Sequence, residues 1–333
     1  MLLITGGTGY IGAHTALELL KLNANILIID NLKNSSENTI EQLYKITKKR
    51  VKFLKGDILD KEFLKQLFLE YKIEAVFHFA GLKAVGESTQ QPLTYYDNNI
   101  TGTLNILNAM ACANVKKFIF SSSATVYGTP SKLPLTEEMP KGTPTNPYGR
   151  SKSIIEDILQ DLSSSDNEWS IAILRYFNPA GAHESGLIGE SPKGIPNNLM
   201  PYILKVANKK LEHLNIFGND YKTIDGTGVR DYLHVVDLAI GHIKAHEFIT
   251  KNNGAFIWNL GTGRGVSVLD MIQAFEKETG VKIPYKITER RPGDIDECWA
   301  DCSKARCDLE WESKKDLTVM MADSWRWENN KKK

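Results

Sequence analysis

Six residues, Gly7-Thr8-Gly9-Tyr10-Ile11-Gly12, stand between a short apolar run and a helical pattern. They restrict the possible folds more than any other part of this chain. Leu2 to Thr5 before them reads as a strand. After them Ala13, Ala16, Leu17 and Leu20 recur at i, i+3, i+4 and i+7, one face of a helix. Strand, glycine turn and helix together form the setting in which G-x-G-x-x-G binds a dinucleotide. The missing side chains let backbone approach a pyrophosphate. The helix N-terminus adds N–H donors and partial positive charge. With Gly6 the run also fits G-x-x-G-x-x-G.

The alternation continues. Ile26 to Asp30 is continuously apolar up to its last residue, as expected of a strand buried on both faces. Further strands are read at Val51 to Leu54, Ala75 to Ala80, Phe118 to Ser121 and Ile171 to Tyr176. Asp60 can cap a helix carrying Phe63, Leu64, Leu67, Phe68 and Tyr71. Ile100, Leu104, Leu107 and Ala111 stripe a second helix, and Ile154, Ile158 and Leu162 a third. This order predicts an α/β chain with a Rossmann-type doubly wound parallel sheet. Residues 178–231 are dense in Gly, Asn and Pro, with one helical stretch from Leu199 to Asn208. Ordering such a segment costs entropy, so it is expected to close over something. The expected division is a dinucleotide-binding Rossmann domain at 1–177, with 232–260 returning to it. Residues 178–231 and 261–333 would form a smaller C-terminal substrate domain.

Composition excludes several classes. The 333 residues carry 41 basic and 40 acidic side chains, so no net field draws the chain to nucleic acid or an anionic membrane. With 42% hydrophobic residues and a net charge of +1, global disorder is excluded. No apolar run approaches the ~20 residues of a membrane span. Met1-Leu2-Leu3-Ile4-Thr5 does not read as a signal peptide. Four cysteines do not make a disulfide scaffold. A cytoplasmic setting is the expectation. Cys298, Cys302 and Cys307 lack the spacing and the histidine partners of a metal site, so no metal is expected. His78, within an apolar strand, reads as a satisfied core residue. Trp325 and Trp327 read as packing, and Lys331 to Lys333 as a solvated tail.

Asp30 ends the second strand, 18 residues past Gly12. A carboxylate there suits an adenosine ribose diol and repels a 2′-phosphate, which favours NAD over NADP, although Lys33 is close enough to blur the contrast. Asp57, after the third strand, could reach the adenine. Tyr148 and Lys152 form Y-x-x-x-K, which places an ammonium beside a phenol on one helical face. That charge, together with a cationic nicotinamide, would favour phenolate at a tyrosine whose ordinary pKa is ~10. Ser123, at the C-terminal end of the Phe118 strand, is placed to bond a reacting hydroxyl.

With these residues in view, the chain resembles the extended short-chain dehydrogenase/reductase superfamily, and more closely its UDP-galactose 4-epimerases. The strings that carry the likeness run from end to end. They include Thr5 to Gly12, His78 to Ser88, Tyr95 to Asn99, Ser121 to Gly128, Asn146 to Lys152 and Leu174 to Pro179. Later come Gly194 to Pro201, Asp225 to Asp231 and Arg290 to Asp294. The resemblance implies an isomerase of carbohydrate metabolism that inverts C4 of the sugar in UDP-glucose and UDP-galactose. Tyr148 would take the 4′-hydroxyl proton while hydride passes to tightly held NAD and returns to the other face. Ser123 would orient the hydroxyl, and Lys152 would lower the Tyr148 pKa and hold the nicotinamide ribose.

The same likeness places further residues on NAD. These are Tyr10, Ile11, Asp30, Asn31, Asn34, Ser35, Asp57, Ile58, Phe79, Ala80, Gly81, Lys83, Asn98 and Phe177, beside Gly6, Gly9 and Gly12 of the glycine run. It places Asn178, Asn198, Leu199, Asn215, Phe217, Arg230, Arg291 and Asp294 on the UDP-sugar. It suggests a homodimer through helices near 95–112 and 150–163. Cys298 stands where relatives confined to the glucose pair carry Tyr, and a smaller residue there implies tolerance of 2-acetamido sugars.

Two rival readings share the fold. A nucleotide-sugar 4,6-dehydratase needs an acid and a base at C5′ and C6′, and in that family a Thr-Asp-Glu run supplies carboxylates. The aligned Ser123-Ala124-Thr125 has none. A non-catalytic NAD sensor usually lacks the Tyr or the Lys; here both stand with Ser123.

Overall fold

The structure is a computed structural model that describes residues 1–193, 196, 198–291 and 293–331. Gly194, Ile195 and Asn197 of the Gly194 to Pro201 string lie outside the described residues, as do Pro292, Lys332 and Lys333.

In the first part of the chain, strands and helices alternate. The elements run β1 (Leu2–Thr5), α1 (Tyr10–Lys21), β2 (Ile26–Asp30), α2 (Asn38–Thr47), β3 (Lys52–Lys55), α3 (Lys61–Glu70) and β4 (Ala75–His78). Then follow α4 (Val85–Gln90), α5 (Pro92–Tyr96), a π-turn at Asp97–Thr101, α6 (Gly102–Cys112), β5 (Lys117–Ser121), α7 (Pro147–Ser165) and β6 (Ser170–Tyr176). The remainder holds β7 (Asn178–Ala180), α8 (Leu199–Ala207), β8 (Leu214–Phe217), β9 (Val229–Arg230), β10 (Tyr232–His234), α9 (Val235–Ile249) and β11 (Gly254–Leu260). It closes with β12 (Val266–Ser267), α10 (Val268–Thr279), β13 (Tyr285–Thr288), β14 (Glu297–Cys298), α11 (Ser303–Leu309) and α12 (Leu317–Asn330).

Seven parallel strands form the central sheet in the order β11-β6-β5-β4-β1-β2-β3. Strand order reverses between β1 and β4, the switch point at which such sheets bind ligands. The pleat sends alternate residues to opposite faces. Ile4, Ile28, Phe77 and Ile119 meet Leu17 and Leu20 of α1 and Leu238 and Ile243 of α9. Leu3, Leu27, Val76 and Phe118 meet Leu64 and Leu67 of α3, Ile106 of α6 and Ile155 of α7. A separate cluster joins Ile203, Leu214, Met271, Phe275 and Met321, from α8, β8, α10 and α12. Among the described residues no helix is long and apolar enough to cross a membrane.

The sequence reading and the structure differ in places. The strand expected over Ala75 to Ala80 ends at His78, because Phe79, Ala80, Gly81 and Lys83 turn outward to line a cavity. Helix α2, whose Ile40, Leu43 and Ile46 pack on the first of these clusters, is not among the expected elements. Residues 178–231 contain short strands as well as the expected helix. Strand β7 pairs with β10, β8 with β13, and β9 with both β12 and β14. Several of these partners lie dozens of residues away, so no local window reveals them. His78 is the expected bonded core residue.

Candidate active site

The turn after β1 folds back on itself. Gly6 adopts a φ of +67°, and a Cβ there would come within 2.7 Å of the Ala80 nitrogen. A Cβ at Gly12 would collide with the Gly6 carbonyl. Only glycine allows this close approach. No side chain caps α1, and no acidic residue stands in its first turn. The uncapped N-terminus opens, through Tyr10, Ile11 and Gly12, onto a cavity of about 1300 Å³. That volume exceeds the roughly 300–1,000 Å³ of a single-ligand pocket.

Asp30 lines the same cavity and holds its local loop together. Oδ2 accepts from the Thr8 N–H at 3.2 Å; Oδ1 accepts from the Leu32 N–H at 2.9 Å and the Ser35 hydroxyl at 2.8 Å. A carboxylate has about four acceptor sites, so one remains for a diol. An uncapped helix start with Asp30 beside it fits a dinucleotide such as NAD.

Helix α7 begins where Asn146 accepts the Gly149 N–H at 2.9 Å, with Pro147 at its first position. That start puts Tyr148 in the first turn and Lys152 one turn on. Tyr148, Lys152 and Ser123 are buried and line the cavity. Lys152 Nζ donates to the Ser121 carbonyl at 2.7 Å and sits 4.8 Å from the Phe120 ring centre. Burial pulls the lysine down to about 8, and the Glu156 charge works against that. In the chain by itself, burial desolvates the phenolate and raises the Tyr148 pKa, and the Ser123 side chain opposes the rise.

Most of the expected cofactor residues meet in this cavity: Gly6, Gly9, Tyr10, Ile11, Gly12, Asp30, Asn31, Asn34, Ser35, Ile58, Phe79, Ala80, Gly81, Lys83, Asn98 and Phe177. So do Asn178, Asn198, Phe217, Arg291 and Asp294 of the expected sugar-nucleotide set. Arg291 is oriented by Asp294, with Nε–Oδ2 at 3.0 Å and Nη2–Oδ1 at 3.3 Å, and lies 4.7 Å over the Phe217 ring.

Five expected residues do not line the cavity. Asp57 accepts from Asn31 Nδ2 at 2.9 Å and so acts behind a lining residue. Leu199 packs partly against the third cluster. Asn215 is exposed on β8. Arg230 Nη1 donates to the Val229 carbonyl at 2.8 Å and the Asp296 carbonyl at 3.4 Å. Cys298 is buried in a cluster with Val126, Tyr127, Leu135, Phe177 and Ala300. Among the described residues no group of three His, Cys, Asp or Glu is placed to hold a metal ion.

Four residues at or behind the cavity wall are not singled out by the sequence. Glu190 accepts from Lys83 Nζ at 3.1 Å and Asn198 Nδ2 at 2.7 Å, joining two expected ligands. Thr125 Oγ1 donates to Ser123 Oγ at 3.0 Å. Asn99, in the π-turn, bonds Leu82 through both its side-chain atoms and donates to Ser151 Oγ at 3.0 Å. It thereby ties the Phe79 to Lys83 segment to α7. Glu156 lies behind Lys152, and its spacing was the one available signal: positions 148, 152 and 156 share a helical face.

A family model described as GDP-mannose 4,6 dehydratase matches residues 3–324. The UDP-glucose 4-epimerase of Bacillus subtilis is 57% identical over 329 residues, covering 99% of this chain and 97% of that protein. The crystal structure of the Bifidobacterium longum UDP-glucose 4-epimerase, in complex with NAD+ and UDP, superposes with a TM-score of 0.96 at 53% identity. It covers 99% of this chain and 98% of that one. The UDP-Glc/GlcNAc 4-epimerase of Campylobacter jejuni superposes with a TM-score of 0.86 at 38% identity, covering 99% of both chains. With that identity sustained over its whole length, and with Ser123, Tyr148 and Lys152 facing the cavity that the glycine turn and Asp30 also line, the chain belongs to the UDP-glucose 4-epimerase family of extended short-chain dehydrogenases/reductases.

Proposed function

We infer that this protein is an NAD-dependent UDP-glucose 4-epimerase, interconverting UDP-galactose and UDP-glucose. One observation carries the reading. A single cavity takes in the glycine turn and Asp30, the Ser123, Tyr148 and Lys152 side chains, and the Arg291 fork. Cofactor and sugar nucleotide can therefore meet beside one base.

The N–H groups at the start of α1 would hold the pyrophosphate, and Asp30 the adenosine ribose. NAD, when bound, supplies a reversible hydride acceptor at C4′, so no net oxidation results. Tyr148 Oη takes the 4′-hydroxyl proton and later returns it. Ser123 Oγ orients that hydroxyl, with Thr125 fixing the serine. The Lys152 ammonium favours the phenolate form of Tyr148. Arg291 offers a forked donor to the diphosphate, and residues 178–231 and 261–333 supply the nucleotide-sugar side of the site. A 4,6-elimination needs further acid and base groups, and Ser123-Ala124-Thr125 offers no carboxylate for it.

The chain works in the cytoplasm as a homodimer. The support for pairing is an apolar stripe on α6 and α7. Leu104 and Ile154 are exposed, and Ile158 and Leu162 are only half-buried. Copies of these helices can pack as a four-helix bundle. A small Cys298 beside Phe177 also leaves volume for a 2-acetamido group.

The deciding experiment is conversion of UDP-galactose to UDP-glucose by purified protein without added reductant. Net accumulation of NADH would point to a dehydrogenase instead, and no turnover to a sensor.

A further inference from the structure

Glu156 stands on α7 one turn beyond Lys152 and two beyond Tyr148, and it is fully buried. Its Oε1 accepts from the Ser122 hydroxyl at 2.5 Å. Arg175 of β6 holds it with a fork, Nη2–Oε2 at 2.7 Å and Nε–Oε1 at 3.1 Å. Ser122 is the middle of three serines at the end of β5, and the carbonyl of its neighbour Ser121 takes Lys152. Two consecutive serines thus anchor two successive turns of α7, at Lys152 and at Glu156.

A buried ion pair needs a reason beyond stability, since an apolar pair of equal volume is often as stabilising. The surroundings of Lys152 supply that reason. The Phe120 ring and the Ser121 carbonyl face it from β5, and Tyr148 from its own helix. From β4 comes His78, held neutral by burial at a pKa of about 3, and from the turn beyond it Gly81. Tyr176 of β6 is neutral as well. In the chain by itself none of these carries a negative charge, whereas burial works against the ammonium. Besides the Ser121 carbonyl, the Glu156 charge is what favours it.

We propose that Glu156 is a positioning residue of the catalytic helix, holding Lys152 as an ammonium beside Tyr148 while Arg175 and Ser122 lock the carboxylate in place. The proposal rests on the epimerase reading above.

The test is the pH profile of kcat for UDP-galactose turnover by the full chain. Removing the carboxylate lets Lys152 lose its proton at lower pH, so the alkaline limb moves acidward. A shift of about one unit means roughly tenfold less turnover at a given pH on that limb. Glu156→Gln leaves Arg175 charged and unpaired, which threatens folding. The double variant Glu156→Gln/Arg175→Met removes both charges at similar volume and carries the test. Arg175→Lys is the control, because it breaks the fork but leaves Glu156 charged and paired. The expected result is a shifted alkaline limb in the double variant and the wild-type limb in Arg175→Lys. A wild-type limb in the double variant would overturn the proposal, as would an equal shift in both. A wild type inert towards UDP-galactose would overturn the epimerase reading itself.

Discussion

The Thr5 hydroxyl lies 2.7 Å from Nδ1 of His78, joining the ends of β1 and β4 at the switch point of the sheet. The surrounding bonds assign the protons. Thr103 donates to the Asn99 carbonyl at 2.6 Å, so it receives the Nε2 proton of His78 at 3.0 Å, and Nδ1 is left as an acceptor. Thr5 Oγ1 in turn accepts from the Ala80 N–H at 3.3 Å. One neutral histidine thereby sets the glycine turn, the Phe79 to Lys83 segment and the Asn99 turn relative to one another.

That neutrality makes stability depend on pH. Burial pushes His78 down to about 3, with the Lys152 charge adding to the effect. Burial likewise pushes His14 to about 3 and His242 to about 4. In the unfolded chain each returns to an ordinary value near 6.5. Between those values the unfolded state binds protons that the folded state does not. The stability is complete above about 6.5 and is lost as pH falls towards 3–4. At pH 5 each histidine costs about 2 kcal/mol. Urea denaturation should therefore give a clearly lower midpoint at pH 5 than at pH 7. Equal midpoints would contradict the assignment of these histidines as neutral.

Tyr148→Phe removes the hydroxyl that carries the proton and leaves the ring in place. Since general acid–base groups contribute typically 10²–10⁴-fold, kcat should fall by at least two orders of magnitude. NAD should stay bound, because the glycine turn and Asp30 are untouched. Near-normal kcat in this variant would show that another group is the base.

Asp30→Ala deletes the carboxylate next to the expected ribose site and also releases three donors, from Thr8, Leu32 and Ser35. NAD co-purifying with the wild type should be largely lost from the variant, as read by absorbance of the heat-released nucleotide. Ser35→Ala separates the two effects, since it loosens the loop and keeps the charge, and it should retain more NAD than Asp30→Ala. Wild-type protein carrying NADP would refute the role given to Asp30.

The Rossmann part of the fold was legible because its strands are buried on both faces and its helices keep an apolar stripe, as in Ile26–Asp30 and Ala13 to Leu20. The glycine turn was legible because Gly6 and Gly12 answer to a close backbone approach. That Tyr148 and Lys152 would face one cavity could be read from their spacing once a strand end carrying Ser123 stood before them. Other features depend on contacts far apart in sequence. Strand β8 finds β13 about 70 residues on, and Glu190 reaches back to Lys83 across more than 100. Arg230 reads as a diphosphate ligand by residue type, and only the fold shows that its Nη1 donates to the Val229 and Asp296 carbonyls. Residue type names what a side chain can do, whereas the fold decides what it faces.

Cys298 is where the two levels meet. It does not line the cavity but shares a buried cluster with Phe177, which does. Burial raises its thiol pKa to about 11, so it acts there as a small neutral side chain. Cys298→Tyr adds a phenol ring at a position only 8% exposed, so the extra volume must displace Phe177 and its neighbours towards the cavity or enter it directly. Overpacking of this kind costs roughly 1–3 kcal/mol. A 2-acetamido sugar carries three more heavy atoms at C2 than its parent and would feel the loss first. The wild type should interconvert UDP-N-acetylglucosamine and UDP-N-acetylgalactosamine as well as the glucose pair. The variant should lose about 10- to 200-fold in kcat/KM for the acetamido pair while its turnover of UDP-galactose changes much less. The comparison needs both substrates in both proteins, so that a general loss of packing is separated from a loss of room at C2. A wild type that turns over UDP-galactose well and neither N-acetyl sugar would show that another side chain closes the pocket.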